Sequence, residues 1–169
     1  MEKILIVVDM QKDFVDGSLG TAEAQAIVPA VAAKIEAHEG PVIFTRDTHQ
    51  PGYLDTQEGR NLPVVHCVEG TEGWQIIPEL RAWAADVVNK PTFGSAALAE
   101  RLKAREAEIE EIELIGLCTD ICVVSNALLL KAFMPEVKIA VDSRCCAGVT
   151  PEKHAAALET MRSCQIAIH

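Results

Sequence analysis

Three residues that could together attack a carbonyl carbon stand at three separate points of the chain: Asp9, Lys90 and Cys122. Cys122 lies in Ile115-Gly116-Leu117-Cys118-Thr119-Asp120-Ile121-Cys122-Val123-Val124. An apolar, β-branched run (Ile109, Ile112, Leu114, Ile115) predicts a strand that breaks at Gly116. A helix is then expected from near Asp120, with Val124, Leu128 and Leu129 on one face. Cys122 would sit in its first turn, where unpaired N–H groups and the positive end of the helix dipole favour a thiolate, the nucleophilic form. Lys90 would add charge to that effect, and Asp9 could take and return a proton. No histidine stands beside the nucleophile, so a Cys-His dyad of protease type is not indicated.

Asp47, His49 and His66 form a second constellation. One carboxylate and two imidazoles suit Zn, Fe or Mn and leave positions open for water and a ligand. Asp55 and Glu58 lie between them in sequence and are candidates for a fourth ligand. A zinc site built from Cys118, Cys122 and the Cys145-Cys146 pair is the competing arrangement, without a paired CxxC motif behind it.

The elements that must position these residues alternate short apolar runs with amphipathic ones. Strands are predicted at Ile4–Val8, Val42–Thr45, Asp86–Asn89, Ile112–Ile115, Val137–Val141 and, weakly, Gln165–Ile168. Helices are predicted at Ala24–Glu39, near Trp74–Trp83, and at Ala96–Glu106, Ile121–Phe133 and Pro151–Cys164. Continuous apolar strands alternating with helices imply an α/β fold: three layers, α/β/α, around a mainly parallel, Rossmann-like six-stranded sheet. In such sheets ligands bind beyond the carboxyl ends of the strands. The first strand ends at Asp9, the second runs into Asp47 and His49, the third ends at Lys90, and the fourth leads to Cys122. The long irregular segment from Arg46 to Gly73 is rich in His, Asp and Gly, and a loop of that size in a compact domain reads as functional.

A chain of 169 residues with a net charge of −10 reads as one domain, 1–169, with no basic surface for nucleic acid or anionic membrane. No apolar run approaches the ~20 residues of a membrane span. Six cysteines without a paired framework read as reduced thiols in a cytoplasmic protein. No GxGxxG follows the first strand, which argues against a nucleotide oxidoreductase.

Taken in order, the segments resemble the isochorismatase-like cysteine hydrolase superfamily and, within it, the nicotinamidases. Val7-Val8-Asp9-Met10-Gln11-Lys12-Asp13-Phe14 is similar to the motif that carries the family's acid/base Asp. Asn89-Lys90-Pro91-Thr92-Phe93-Gly94-Ser95 is similar to the motif of the catalytic Lys, and Gly116-Leu117-Cys118-Thr119-Asp120-Ile121-Cys122-Val123 to the nucleophile motif. The resemblance implies hydrolysis of a small carboxamide, nicotinamide first, through a Cys122 thioester. It also implies a cis peptide at Leu117–Cys118 and an oxyanion hole made by the backbone N–H groups of Cys118 and Cys122. Asp47, His49 and His66 would hold a divalent metal (Zn, Fe or Mn) that meets the pyridine nitrogen, in a chain that forms a homo-oligomer.

Two positions depart from the nicotinamidase pattern. Thr48 replaces an aromatic residue between the metal Asp and His, and Pro63 stands where a ring-stacking Trp is usual. Phe14 and Tyr53, and after them Trp74, are then the candidates to pack on a substrate ring. The competing readings are a sibling amidohydrolase or ureidohydrolase and a catalytically silent binding module of the same fold.

Overall fold

In the computed structural model, which describes residues 1–169, alternate side chains of the first strand, β1 (Glu2–Val8), enter two different cores. Ile4, Ile6 and Val8 join one buried apolar cluster, and Leu5 and Val7 join the other. This is the period-two alternation of a strand covered on both faces. The other strands are β2 (Val42–Asp47), β3 (Val87–Lys90), β4 (Ile109–Leu117), β5 (Lys138–Ala147) and β6 (Ala167–Ile168). Every pairing is parallel, in the order β3-β2-β1-β4-β5-β6. β1 and β4 are therefore central, and the segments that leave them meet at the middle of the carboxyl edge.

The helices are α1 (Lys12–Val15), α2 (Ala22–Ala26), α3 (Val28–Glu36), α4 (Gln57–Asn61), α5 (Ala96–Lys103), α6 (Val124–Phe133) and α7 (Pro151–Ser163). Val15, Ala24, Val31 and Ile35 of α1–α3 cover the Leu5/Val7 face, while Leu98, Leu130, Leu158 and Met161 of α5–α7 cover the other. Three layers result, as the sequence implies. No helix is long and apolar enough to cross a membrane.

The expected helix over 24–39 is two helices, because Pro29 at the start of α3 cannot donate an N–H to the preceding turn. The helix expected near Trp74–Trp83 is a 3₁₀ segment over Pro78–Trp83 only. β4 and β5 run longer than their apolar cores suggest, since β5 continues through Asp142-Ser143-Arg144 to Cys145, Cys146 and Ala147.

Gly116 is a fixed requirement of the sheet. Its φ is +113°, and a Cβ there would stand 2.2 Å from the Val8 carbonyl oxygen. Only glycine lets β4 approach β1 so closely one residue before Asp9.

Candidate active site and metal group

Asp9 follows β1 with φ +47°, a left-handed conformation that is uncommon without glycine. Thr45 of β2 fixes it: the hydroxyl donates to Asp9 Oδ1 at 2.6 Å, and the Asp9 N–H donates to the Thr45 carbonyl at 3.2 Å. Lys90, the last residue of β3, is fully buried and extends across to it. Lys90 Nζ lies 2.7 Å from Asp9 Oδ2, a charge contact off the hydrogen-bonding direction, and 3.7 Å from Asp47 Oδ1. The ammonium donates to Cys122 Sγ at 3.3 Å and to the Thr92 carbonyl at 3.1 Å. Burial opposes the Lys90 charge, but Asp9, Cys122 and Asp47 outweigh it and hold the ammonium above its ordinary pKa. Burial raises the Asp9 carboxyl, with Lys90 pulling against it.

Cys122 sits in a π-helical turn, Thr119–Val123, that precedes α6, rather than in the first turn of an α-helix. The cis peptide expected at Leu117–Cys118 is present. Asn126, one turn on, donates to the Cys122 carbonyl at 2.8 Å and to the Phe93 carbonyl at 3.1 Å, and accepts from the Ser95 N–H at 2.9 Å. The nucleophile turn and the segment after β3 are thereby tied together. Only 5% of Cys122 is exposed. Burial and the Asp9 charge push its thiol well above the ordinary range, with Lys90 acting the other way. Burial thus opposes the thiolate that the helix start and Lys90 favour, and the Asp9 carboxyl shares the Lys90 ammonium with the Cys122 sulfur.

The second constellation assembles beside the first. Asp47 Oδ2 lies 2.9 Å from His49 Nε2 and 3.6 Å from His66 Nε2. Glu58 of α4 places Oε1 3.6 Å from His49 Nε2 and 3.9 Å from His66 Nε2. The four ligand atoms lie within 4.8 Å of one another. Glu58 is thus the fourth candidate ligand, while Asp55 is exposed and outside the group. His66 Nδ1 is bonded to the Val64 carbonyl at 2.7 Å, which turns Nε2 toward the group. His49 Nε2 is buried with no aligned hydrogen-bond partner. A buried imidazole nitrogen without a partner, among two carboxylates and a second imidazole, fits a divalent cation. Burial raises Glu58, whereas His49, His66 and Lys90 together overcome burial to lower Asp47.

The alternative cysteine site does not form. Cys145 and Cys146 are neighbours on β5 and enter opposite cores, as successive strand residues must. All six cysteines are free.

Both constellations open onto one cavity of about 300 Å³, lined among others by Phe14, Asp47, Glu58, His66, Cys118 and Cys122. Phe14 also packs on His66, with ring centroids 5.5 Å apart. Tyr53 corrects an expectation. It is buried behind the histidines, 4.7 Å from the His49 ring and 4.9 Å from the His66 ring, with its hydroxyl donating to the Leu62 carbonyl at 2.8 Å. It packs behind the candidate metal group and does not line the cavity. Trp74 is likewise absent from the lining; its indole N–H donates to Thr48 Oγ1 at 2.8 Å under the Arg46 guanidinium. Residues that sequence reasoning passed over include Phe93, Val149 and Lys153 on the cavity wall and Gln11 behind Asp47. The first three come from loops and helix starts remote in sequence, where no periodicity marks them.

A thiol, an ammonium and a carboxylate lie buried together at the carboxyl edge of a parallel sheet, where such folds bind their ligands. The family model for the isochorismatase domain matches residues 3–168. The chain belongs to the isochorismatase family, as a nicotinamidase-like hydrolase. It is 30% identical to the nicotinamidase/pyrazinamidase of Mycobacterium tuberculosis, over 97% of this chain and 96% of the relative. It is similar to a crystal structure of Pyrococcus horikoshii pyrazinamidase in complex with zinc, with a TM-score of 0.85 at 28% identity over 100% of this chain and 99% of that one. A Streptococcus mutans pyrazinamidase/nicotinamidase structure gives a TM-score of 0.85 at 28% identity, covering 99% of each chain.

Proposed function

We propose that this chain hydrolyses nicotinamide to nicotinate and ammonia through a thioester on Cys122. The observation that carries the reading is Lys90, whose ammonium touches both Cys122 Sγ (3.3 Å) and Asp9 (2.7 Å) behind a cavity that Cys122 lines together with Asp47, Glu58 and His66. Cys122 attacks the carboxamide carbon while its proton passes to Asp9. The C–S bond forms as the C=O π bond opens, and the backbone N–H groups of Cys118 and Cys122 receive the oxyanion. Collapse breaks the C–N bond, Asp9 returns the proton to nitrogen, and ammonia leaves a thioester. Asp9 then takes a proton from water as the hydroxide adds. The C–S bond breaks, and Asp9 reprotonates the sulfur. Lys90 holds its positive charge throughout, so both the Asp9 carboxylate and the developing thiolate have a counter-charge within the site.

Asp47, His49, Glu58 and His66 would hold a divalent metal, which when bound supplies a Lewis-acid position for the ring nitrogen of the substrate. Phe14 would pack on the ring face. Ammonia release from nicotinamide tests the reading. Wild type should turn over, and Cys122→Ala should lose about three orders of magnitude or more of kcat. A Cys122→Ala protein that retained wild-type release would end it.

A further inference from the structure

We propose that Lys153 is a specificity-determining residue of this cavity and that the favoured carboxamide carries an anionic group, such as a carboxylate, on the side of its apolar body away from the metal group. The inference rests on the amidase reading and names the substrate class within it.

The strand order sets the geometry. The metal group belongs to β2 and the loop after it, and the reacting thiol follows β4. Val149 and Lys153 come from the segment that joins β5 to α7 and from the first turn of α7. β2 and β5 are separated by β1 and β4, a span of three strand spacings, or roughly 14 Å. A substrate seated over Cys122 therefore has the metal group on one side and Lys153 on the other.

The charge balance singles out Lys153. Of the eight lysines, seven touch a carboxylate or donate to a carbonyl within the chain. Lys153 has no such partner, yet it lines the cavity. Of the acids nearest in sequence, Asp120 accepts the Val149 N–H at 3.0 Å. Behind the cavity wall Asp9 is matched by Lys90, and on the wall Asp47 and Glu58 would be matched by a divalent metal. Lys153 is left as the uncompensated charge, in a chain whose net charge of −10 repels anions elsewhere. The wall around it is apolar and open, with Leu62, Phe93 and Val149 each 40–45% exposed. Such a mouth takes an apolar body and leaves one cation to read the end of it.

The test compares nicotinamide with its ring-carboxylated analogue, a pyridine dicarboxylic acid monoamide. The readout is the ratio of kcat/KM for the charged substrate to that for the neutral one, so general damage to the enzyme cancels. Lys153→Met should lower the ratio about fivefold and Lys153→Glu further, and ~0.5 M salt should bring the wild-type ratio down toward that of Lys153→Met. Equilibrium binding of the carboxylated amide to Cys122→Ala protein, with and without Lys153→Met, reads the same contact without turnover. If nicotinamide proves not to be a substrate but this binding still depends on Lys153, the amidase reading for nicotinamide falls and the specificity proposal stands. A ratio and a binding constant that stay within twofold in both variants would overturn the proposal.

Discussion

Gln11 grips Asp47 by its main chain: Gln11 Oε1 accepts the Asp47 N–H at 2.8 Å, and Gln11 Nε2 donates to the Asp47 carbonyl at 2.8 Å. The same Nε2 reaches the Trp74 carbonyl at 2.9 Å, and Gln11 is fully buried. One side chain therefore locks the carboxylate of the candidate metal group to the segment that follows Asp9. Gln11→Leu keeps the bulk but leaves a buried N–H and two carbonyls without partners. The expected loss is about 2–4 kcal/mol of stability, read by urea unfolding, with weakened metal affinity. Unchanged stability would mean that water or a neighbour replaces the clasp.

Gly116 makes a sharper structural prediction. Its φ of +113° and the 2.2 Å approach of Val8 O leave no room for a methyl group. Gly116→Ala should cost about 3 kcal/mol or more, from strain and overpacking together. A variant that melts within a degree or two of wild type would show that β1 and β4 can separate at little cost.

Much of this arrangement is legible in the sequence because a parallel sheet sends every strand end to one edge. Asp9, Asp47, Lys90 and Cys122 can each be placed from the apolar run before it. What is not legible is which loop side chains turn inward. Tyr53 reads as a ring-packing residue but supports the histidines from behind, because its hydroxyl finds the Leu62 carbonyl. Glu58 and Asp55 are equal candidates until α4, capped by Thr56, turns Glu58 toward the histidines and leaves Asp55 exposed. Burial at Cys122 is also invisible in a local reading. The helix start and Lys90 argue for a thiolate, whereas the desolvation that opposes it comes from elements across the whole chain.

Metal binding should be visible as stability. A ligand that binds only the folded form adds about 2.7 kcal/mol at a hundredfold excess over Kd. Zinc should raise the melting temperature, a chelator should reverse the rise, and the double variant His49→Ala/His66→Ala should show none. Elemental analysis that still finds one metal per chain in that variant would contradict the assignment of Asp47, His49, Glu58 and His66.

Acid stability has a separate source on the other side of the sheet. Burial would raise the Asp142 carboxyl, but Arg144 and Lys34 outweigh it and hold it at about 2. Its folded pKa is therefore depressed, and the stability it contributes is complete above the unfolded value of about 3.9 and is lost as pH falls toward about 2. Asp142→Asn should flatten the dependence of melting temperature on pH between about pH 4 and pH 2. An unaltered slope would assign the acid sensitivity to other carboxylates.

The proposed chemistry turns on Cys122 carrying the acyl group. Intact-protein mass spectrometry of acid-quenched turnover with nicotinamide reads this directly. The expected result is a nicotinoyl adduct that maps to the peptide containing Cys122, decays by hydrolysis, and is absent from Cys122→Ala. Sustained ammonia release with no adduct, undiminished in Cys122→Ala, would contradict it.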